Sequence, residues 1–553
     1  MLQRLRSRLD RAVFFSKVIR ASKVVQPVRP ARVAQFVRGA RQTKLGPHLA
    51  IMFHGAAHPD REAIVEYGDQ GVRRLTWGEL DALINRLAHT LVARGVRGGS
   101  RVALMLPNGI EYLIAQQALA RLGGLAVQIG YRLKPSEIAY ILGNAEPTAT
   151  IVDAQYLDAM RDARQQSGKG GPLLAVGGNG NLGEAEDWDR ALAASSPDMP
   201  PRTRGGDGGG VIVYTSGTTG KPKGATRSWR KTGFESVADM IYQVGMRADD
   251  RHLVVCPLYH SAAPAFVAIM QSLGATVVLQ NHFDPEQCLE IIQKERITCT
   301  LMVPTMLIRL CALPPETIRK YNTSSLRWVM SAAAPLTTEA ARRFMDTFGP
   351  ILWNFYGATE TGLVTMAGPR DHTSRPGTIG RALRGNDIRL LDDHGRDVPP
   401  GQIGELYARN STLISGYHGN AEATSSAQRE GFFSVGDCGR VDADGYYYLE
   451  SRKSDMVISG GVNIYPREIE DHLSTHPAIL ECAVIGVPDP EWGETLRAFV
   501  VLRNGAKLSE IEVIDYCRKE LADFKRPRKV TFMAELPRNP TGKILKRELR
   551  ELR

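Results

Sequence analysis

Apolar residues along this chain recur at two alternating spacings, 3.6 and 2. From residue 75 to 96, LTWGELDALINRLAHTLVARGV, they return at helical spacing, with Thr76 as the hydroxyl residue at the entrance. The strand-like RVALMLP follows, then a helical IEYLIAQQALARLGG, then the strand-like LAVQIG, and the alternation continues through ILGNAEPTATIVD. Further on, VIVY (211–214), HLVVCPLYH (252–260), ATVVLQ (275–280), ITCTLMVP (297–304) and LRWVMS (326–331) are short buried-looking strands ending near polar or small residues. Strands in turn with helices predict an α/β fold with a largely parallel sheet, and such sheets bind ligands beyond the carboxyl ends of their strands. The Gly-rich stretches 167–183 and 205–210 predict loops, the second leading into the strand at 211.

A length of 553 residues exceeds what one core supports and predicts two or more domains. The seven cysteines are scattered without a C-x-x-C pair, against a disulfide framework or a structural zinc site and in favour of a reducing, cytoplasmic compartment. The net charge of +11 belongs to residues 1–50, which hold twelve Lys or Arg and one acidic residue. The remainder carries 70 − 12 = 58 basic and 59 − 1 = 58 acidic residues, so a nucleic-acid partner is not indicated. In the basic arm Leu2, Leu5, Leu9 and Val13 recur at helical spacing among arginines, and no apolar run is long enough to span a bilayer. Peripheral contact of residues 1–44 with an anionic membrane is the expectation, beside a targeting presequence or a poorly ordered tail.

The densest chemistry lies at 211–226, VIVYTSGTTGKPKGAT. A strand runs into a turn whose Gly217, Gly220 and Gly224 allow close backbone approach. Thr215, Ser216, Thr218 and Thr219 supply hydroxyls, and Lys221 and Lys223 supply charge. Backbone N–H groups and hydroxyls converging at such a turn hold polyphosphate. The P-loop of nucleotide hydrolases needs Gly-Lys followed by Ser or Thr, and Pro222 excludes it.

This segment resembles the phosphate loop of the acyl-adenylate-forming enzymes, a superfamily of acyl-CoA synthetases, luciferases and amino-acid adenylation domains. Four further segments match in the family's order. Asn354-Phe355-Tyr356-Gly357-Ala358-Thr359-Glu360 resembles the aromatic-Gly-x-Thr-Glu motif, preceded by the small-residue adenine wall Ser331–Leu336 that includes Ala332 and Ala333. Many relatives have Gly at those two alanines, whose methyl groups are expected to narrow the acyl tunnel. Phe433–Asp437 resembles the Gly-Asp segment that binds ribose through a carboxylate, here Asp437. Arg452–Pro466 matches the hinge segment, with Arg452 toward ribose, Ser454 at the hinge, and Gly460 and Gly461 walling the CoA channel. Ser451 and Ser454 depart from the usual Gly and Lys or Asp. Pro537–Lys546 matches the terminal loop that carries the catalytic lysine, here Lys543.

The resemblance implies a large N-terminal domain of mixed and parallel sheets flanked by helices (49–451) behind an extension (1–48). A hinge at 452–455 and a small mobile α/β domain (456–553) complete it. ATP, Mg²⁺ and CoA are the implied co-substrates and cofactors. Tyr356 and Asn354 meet adenine, Gly357 and Thr359 line the nucleotide, and Glu360 holds Mg²⁺. Thr215 through Gly220 and Lys223 grip the β- and γ-phosphates, His260 stands beside the acyl carboxylate to gate it or to assist thioester formation, and Lys525 faces CoA. A carboxylic acid, by its apolar surroundings a medium- or long-chain fatty acid, is converted to acyl-AMP and passed to CoA. Aryl or carrier-protein acyl transfer, a luciferase-type oxygenase and an acyl-binding uptake protein with a vestigial site are the alternatives, and a homodimer is left open.

Overall fold

A computed structural model describes residues 2–552 apart from 44, 179–181, 204, 206–208, 216–221, 229–233, 461 and 540–541, with side chains from residue 10 onward. The helix expected after Thr76 runs Trp77–Ala93. Thr76 Oγ1 accepts from the Glu79 amide while the Glu79 carboxylate accepts from the Thr76 amide, a reciprocal cap that contributes about 1 kcal/mol. The apolar runs become strands because helices cover both faces of the sheets, so no polar alternation is needed. Trp77, Trp328, Tyr112 and Phe266 are wholly buried in the resulting core.

Among the described residues the strands form three sheets. In the largest, Glu62–Gly68, Thr276–Gln280, Arg251–Val254, Cys299–Met302, Trp328–Ser331 and Leu352–Ala358 lie side by side and parallel. The same sheet then continues antiparallel through Gly362–Ala367, Thr378–Ala382, Tyr447–Arg452 and Phe432–Val441. The second sheet has Gly210–Thr215 parallel to Leu125–Gln128, which pairs with Arg101–Met105 and so with Ala149–Asp153. Both sheets are therefore mixed, and the parallel stretches sit where the sequence placed them.

The turn expected to run from Thr215 to Thr226 is shorter than its composition suggests. Lys223–Ser228 is a strand returning antiparallel to Gly210–Thr215, with Lys223 directly opposite Thr215. Gly and Lys are poor strand formers, but the edge left open by Gly210–Thr215 offers a full ladder of backbone partners.

The small domain is built on the hairpin of Ile479–Asp489 and Gly493–Leu502, backed by helices Pro466–Ser474 and Glu510–Glu520. Ile469, Leu473, Val484 and Val513 form its separate core. It sits on the large domain through Arg467, whose Nη2 donates to the Leu336 carbonyl at 2.8 Å. The segment expected as the hinge includes Lys453–Asp455, a single 3₁₀ turn tied to the last helix by an Arg550–Asp455 ion pair at 3.0 Å.

The basic arm is ordered as helices Leu2–Ser22 and Pro30–Ala40. Its first helix does not lie free, because Phe14 and Val18 are buried against the large domain. Among the described residues no helix is long and apolar enough to cross a membrane.

Candidate active site

The carboxyl ends of both sheets open on one cavity of about 2010 Å³ between the two domains. Sheet register delivers the first pair of site residues: Asp437 and Arg452 are direct partners on neighbouring strands. Arg452 Nε lies 3.2 Å from Asp437 Oδ1, and Tyr356 Oη donates to Asp437 Oδ2 at 2.7 Å. Burial and the Asp437 charge push the Tyr356 phenol well above its usual range, so it stays a neutral donor. Asn354, buried on the same strand as Tyr356, also lines the cavity. Gly357 is required by contact, since a Cβ there would lie 1.8 Å from the Gly362 carbonyl oxygen. Tyr356, Asn354 and Asp437 thus present a ring, an amide and a carboxylate to the same space, a donor set suited to a nucleoside.

A second cluster gathers beside the hairpin. Glu360 Oε1 accepts from Thr215 Oγ1 at 3.2 Å and from Tyr417 Oη at 3.1 Å. Lys223 Nζ stands 5.2 Å from the centre of the Tyr417 ring. One carboxylate with hydroxyls, and an ammonium beside them, suits Mg²⁺ and the phosphates it accompanies, because Mg²⁺ takes few protein oxygens and keeps water. Thr359 is held by its carbonyl, which accepts from Arg227 Nη2 at 2.6 Å, and by a 3.0 Å hydroxyl contact with Ser261. Ser216, Gly217, Thr218, Thr219 and Gly220 lie outside the described residues, as does Gly461.

Lys543 reaches the cavity from the small domain. Its loop is closed on itself: the Lys543 amide donates to Asn539 Oδ1 at 2.9 Å and the Gly542 amide to the Asn539 carbonyl at 2.9 Å. Thr305 Oγ1 of the large domain donates to the Gly542 carbonyl at 3.5 Å. Gly542 has φ +78° and a Cβ there would stand 3.2 Å from Thr305 Oγ1, so glycine permits both the turn and the approach. Burial, and then the neighbouring Arg452 charge, lower the Lys543 ammonium from 10.5 to about 8, against the opposing pull of Asp437 and Asp455. The charge is therefore present below pH 8 and lost above it. If the ammonium acts in nucleotide activation, kcat/KM for ATP falls about tenfold per unit above pH 8, since this parameter reports the free enzyme. In a Lys543→Arg variant that limb should vanish from the pH profile of pyrophosphate exchange, and its persistence would assign it to another group.

His260 lines the cavity next to Tyr259, at 4.2 Å between ring centres. Its loop is pinned by Asn108, which donates to the Cys256 carbonyl and accepts from the Leu258 amide at 2.9 Å. Burial, then Arg132, lower the imidazole to about 3, so it is neutral and too weak a base to take a thiol proton near pH 7. Among the described residues its Nε2 has no partner, which leaves it open to a substrate carboxyl. Ala333 also lines the cavity, with φ +70°, a left-handed conformation that costs a residue with a Cβ about 1–2 kcal/mol. Gly460 packs under Trp492 and Lys525 pairs with Glu468 at 2.7 Å, and neither lines the cavity in this arrangement of the domains.

Tyr417 and Arg227 were not singled out from the sequence. Nothing in GYHG marks Tyr417, and Arg227 reads as one more cation after Lys223. Arg227 is half-buried; burial lowers it to about 10, with Glu360 opposing, so it remains charged at neutral pH.

Comparison with known proteins agrees with this geometry. The profile described as AMP-binding enzyme matches residues 53–418, and that of the AMP-binding enzyme C-terminal domain matches 468–543. A feruloyl-CoA synthase from Amycolatopsis sp is 35% identical over 512 residues, covering 92% of this chain and 97% of the relative. The long-chain-fatty-acid–CoA ligase FadD13 of Mycobacterium tuberculosis is 33% identical over 479 residues, 86% of this chain and 93% of the relative. The crystal structure of an anthranilate CoA ligase in complex with anthranoyl-AMP superposes with a TM-score of 0.83 at 27% identity, covering 92% of this chain and 97% of that one. With both domains matched in order and the nucleotide-side residues converging on one cavity, the chain belongs to the AMP-binding enzyme family.

Proposed function

We propose that this ATP-dependent acyl- or aryl-CoA ligase activates a medium- or long-chain fatty acid as acyl-AMP and transfers it to CoA. The observation that carries the reading is Lys543, buried beside Arg452 and Asp437 at the head of a cavity whose far walls are apolar. Val237, Ala238 and Ile241 of helix Phe234–Val244 form one such wall, and Ala265, Ala268 and Ile269 of helix Ala262–Leu273 form another.

In the first half-reaction a carboxylate oxygen attacks the α-phosphorus of ATP, forming the acyl–phosphate bond and breaking the bond to pyrophosphate. Two anions meet, and the Lys543 ammonium offsets their repulsion as charge moves onto the leaving oxygens. Asp437 and Arg452 hold the ribose, Tyr356 and Asn354 the base, and Thr215 and Lys223 the departing phosphates. Glu360 would hold Mg²⁺, which when bound would supply charge neutralisation of those phosphates. His260, neutral and unpartnered, orients the acid. In the second half-reaction the CoA thiol loses its proton to solvent, its sulfur attacks the acyl carbon, and the bond from that carbon to the phosphate oxygen breaks so that AMP leaves. Gly460, Gly461 and Lys525 serve that step after the small domain turns about Ser454, which withdraws Lys543.

A second reading, an aryl acid, is favoured by Arg227, a half-buried cation at the cavity wall that suits a polar ring substituent better than an alkyl chain. Acid-dependent ATP–pyrophosphate exchange across saturated C4–C18 acids and hydroxylated cinnamic and benzoic acids separates the two. Highest kcat/KM among C8–C18 acids is expected, and preference for the ring acids by tenfold or more would replace the fatty-acid reading. CoA consumption in the same assay identifies the acceptor.

A further inference from the structure

The first helix, Leu2–Ser22, lies outside the matched family profile, which begins at residue 53. It is nonetheless fastened to the large domain at several points. Phe14 packs edge-on to Tyr242 at 6.1 Å, and the Arg384 guanidinium covers the Phe14 ring at 4.3 Å. Arg11 pairs with Glu235, and Lys23 with Asp249 at 2.9 Å. The Ala248 amide donates to the Ser22 carbonyl at 2.8 Å, fixing the end of the helix. The partners Glu235 and Tyr242 belong to helix Phe234–Val244, which itself walls the apolar part of the cavity.

Phe15, Val18, Ile19 and Ser22 line the same cavity. Their spacing of three, one and three residues places them on one face of the helix. Val18 and Ser22 are 7% and 1% exposed, whereas Ile19, at 45%, stands at the rim. Helix Ala262–Leu273 lines the same cavity with Ala265, Ala268 and Ile269. The docked helix adds Phe15 and Val18 to that lining, so the volume of those two side chains bears directly on the room that remains.

We propose that the N-terminal helix is a wall of the acid-binding part of the cavity and that Phe15 and Val18 set the size of acid the enzyme accepts. This rests on the assignment of the apolar part of the cavity to the acid. Among the described side chains Lys17 and Arg20 are exposed and Arg11 pairs with Glu235, while the face that carries Phe15 and Val18 determines specificity.

Two measurements on the full chain test this. In the first, Val18→Trp fills the lobe and Phe15→Ala enlarges it. Val18→Trp should raise the ratio of kcat/KM for the shortest to the longest accepted acid by about tenfold or more, and Phe15→Ala should lower it, the scale set by a few methylenes in an apolar pocket. A ratio unchanged in both variants overturns the proposal, and so does a loss equal for every acid, which is what a merely structural helix would produce. In the second, dodecanoic acid bearing a terminal diazirine is photo-crosslinked to the unmodified protein and the labelled peptides are mapped. Label on residues 12–24 supports the wall, and label confined to other segments overturns it. This arm needs no turnover. Label on 12–24 in a protein that exchanges pyrophosphate with no acid would retain the wall and remove the ligase reading.

Discussion

Replacing Lys543 with Ala should lower acid-dependent ATP–pyrophosphate exchange by roughly 10²–10³-fold, the scale for removing one preorganised charge-stabilising group. Transfer of the acyl group from supplied acyl-AMP to CoA should survive within a few-fold. The separation follows from where the ammonium stands. It is enclosed with Arg452 and Asp437 on the nucleotide side of the cavity, in a medium where each charge counts for more than in water. It belongs to the small domain and reaches the site only while the Thr305–Gly542 contact and the Arg467–Leu336 contact hold that domain in place. A step that follows rotation of the domain has no use for it. The variant should fold, because Lys543 belongs to no core cluster and removing it relieves the crowding of its charge against Arg452. Equal loss of both half-reactions would count against two working arrangements of the domains.

Glu360→Gln should reduce exchange by roughly 10²-fold at ordinary Mg²⁺ and shift the Mg²⁺ concentration for half-maximal rate upward. The amide matches the carboxylate in shape and keeps an oxygen to accept from Thr215 and Tyr417, so the 3.2 and 3.1 Å hydrogen bonds and the local packing remain. Only the charge is removed. A carboxylate with hydroxyls beside Lys223 is a site for a hard cation, and the neutral amide is a far weaker ligand. An unchanged Mg²⁺ dependence would move the metal away from Glu360.

Much of the fold was legible because it rests on local patterns. Thr76 with Glu79 announces a helix start, and runs such as ATVVLQ have nowhere stable to go but the middle of a covered sheet. The meeting of Asp437, Arg452 and Tyr356 was foreshadowed by resemblance, since they sit in short spelled motifs whose order agrees, and the sheet register and hydrogen bonds bring them together. The strand Lys223–Ser228 was not, because its stability comes from the open edge of Gly210–Thr215 and not from its own composition. Nor was Tyr417, which joins Glu360 and Lys223 only because residues 416–417 pair with the hairpin strand. The amphipathic basic helix shows the limit most plainly. Apolar residues at helical spacing among arginines read the same whether lipid or protein covers them, and the docked face carries Phe14, Val18 and Ser22 whereas Val13 is exposed.

Residue order therefore decides the kinds of element here and the chemical groups available, because propensity, capping and motif spacing act over a few residues. Tertiary structure decides which of those groups meet. It places a lysine near the end of the chain against an aspartate and arginine from a distant sheet, where burial lowers the lysine to about 8. It neutralises His260 by the same enclosure. It also turns a basic N-terminal helix inward, so that its apolar face borders the cavity. Each of these depends on contacts between segments far apart in the chain, and solvent exclusion at those contacts is a property of the packed whole.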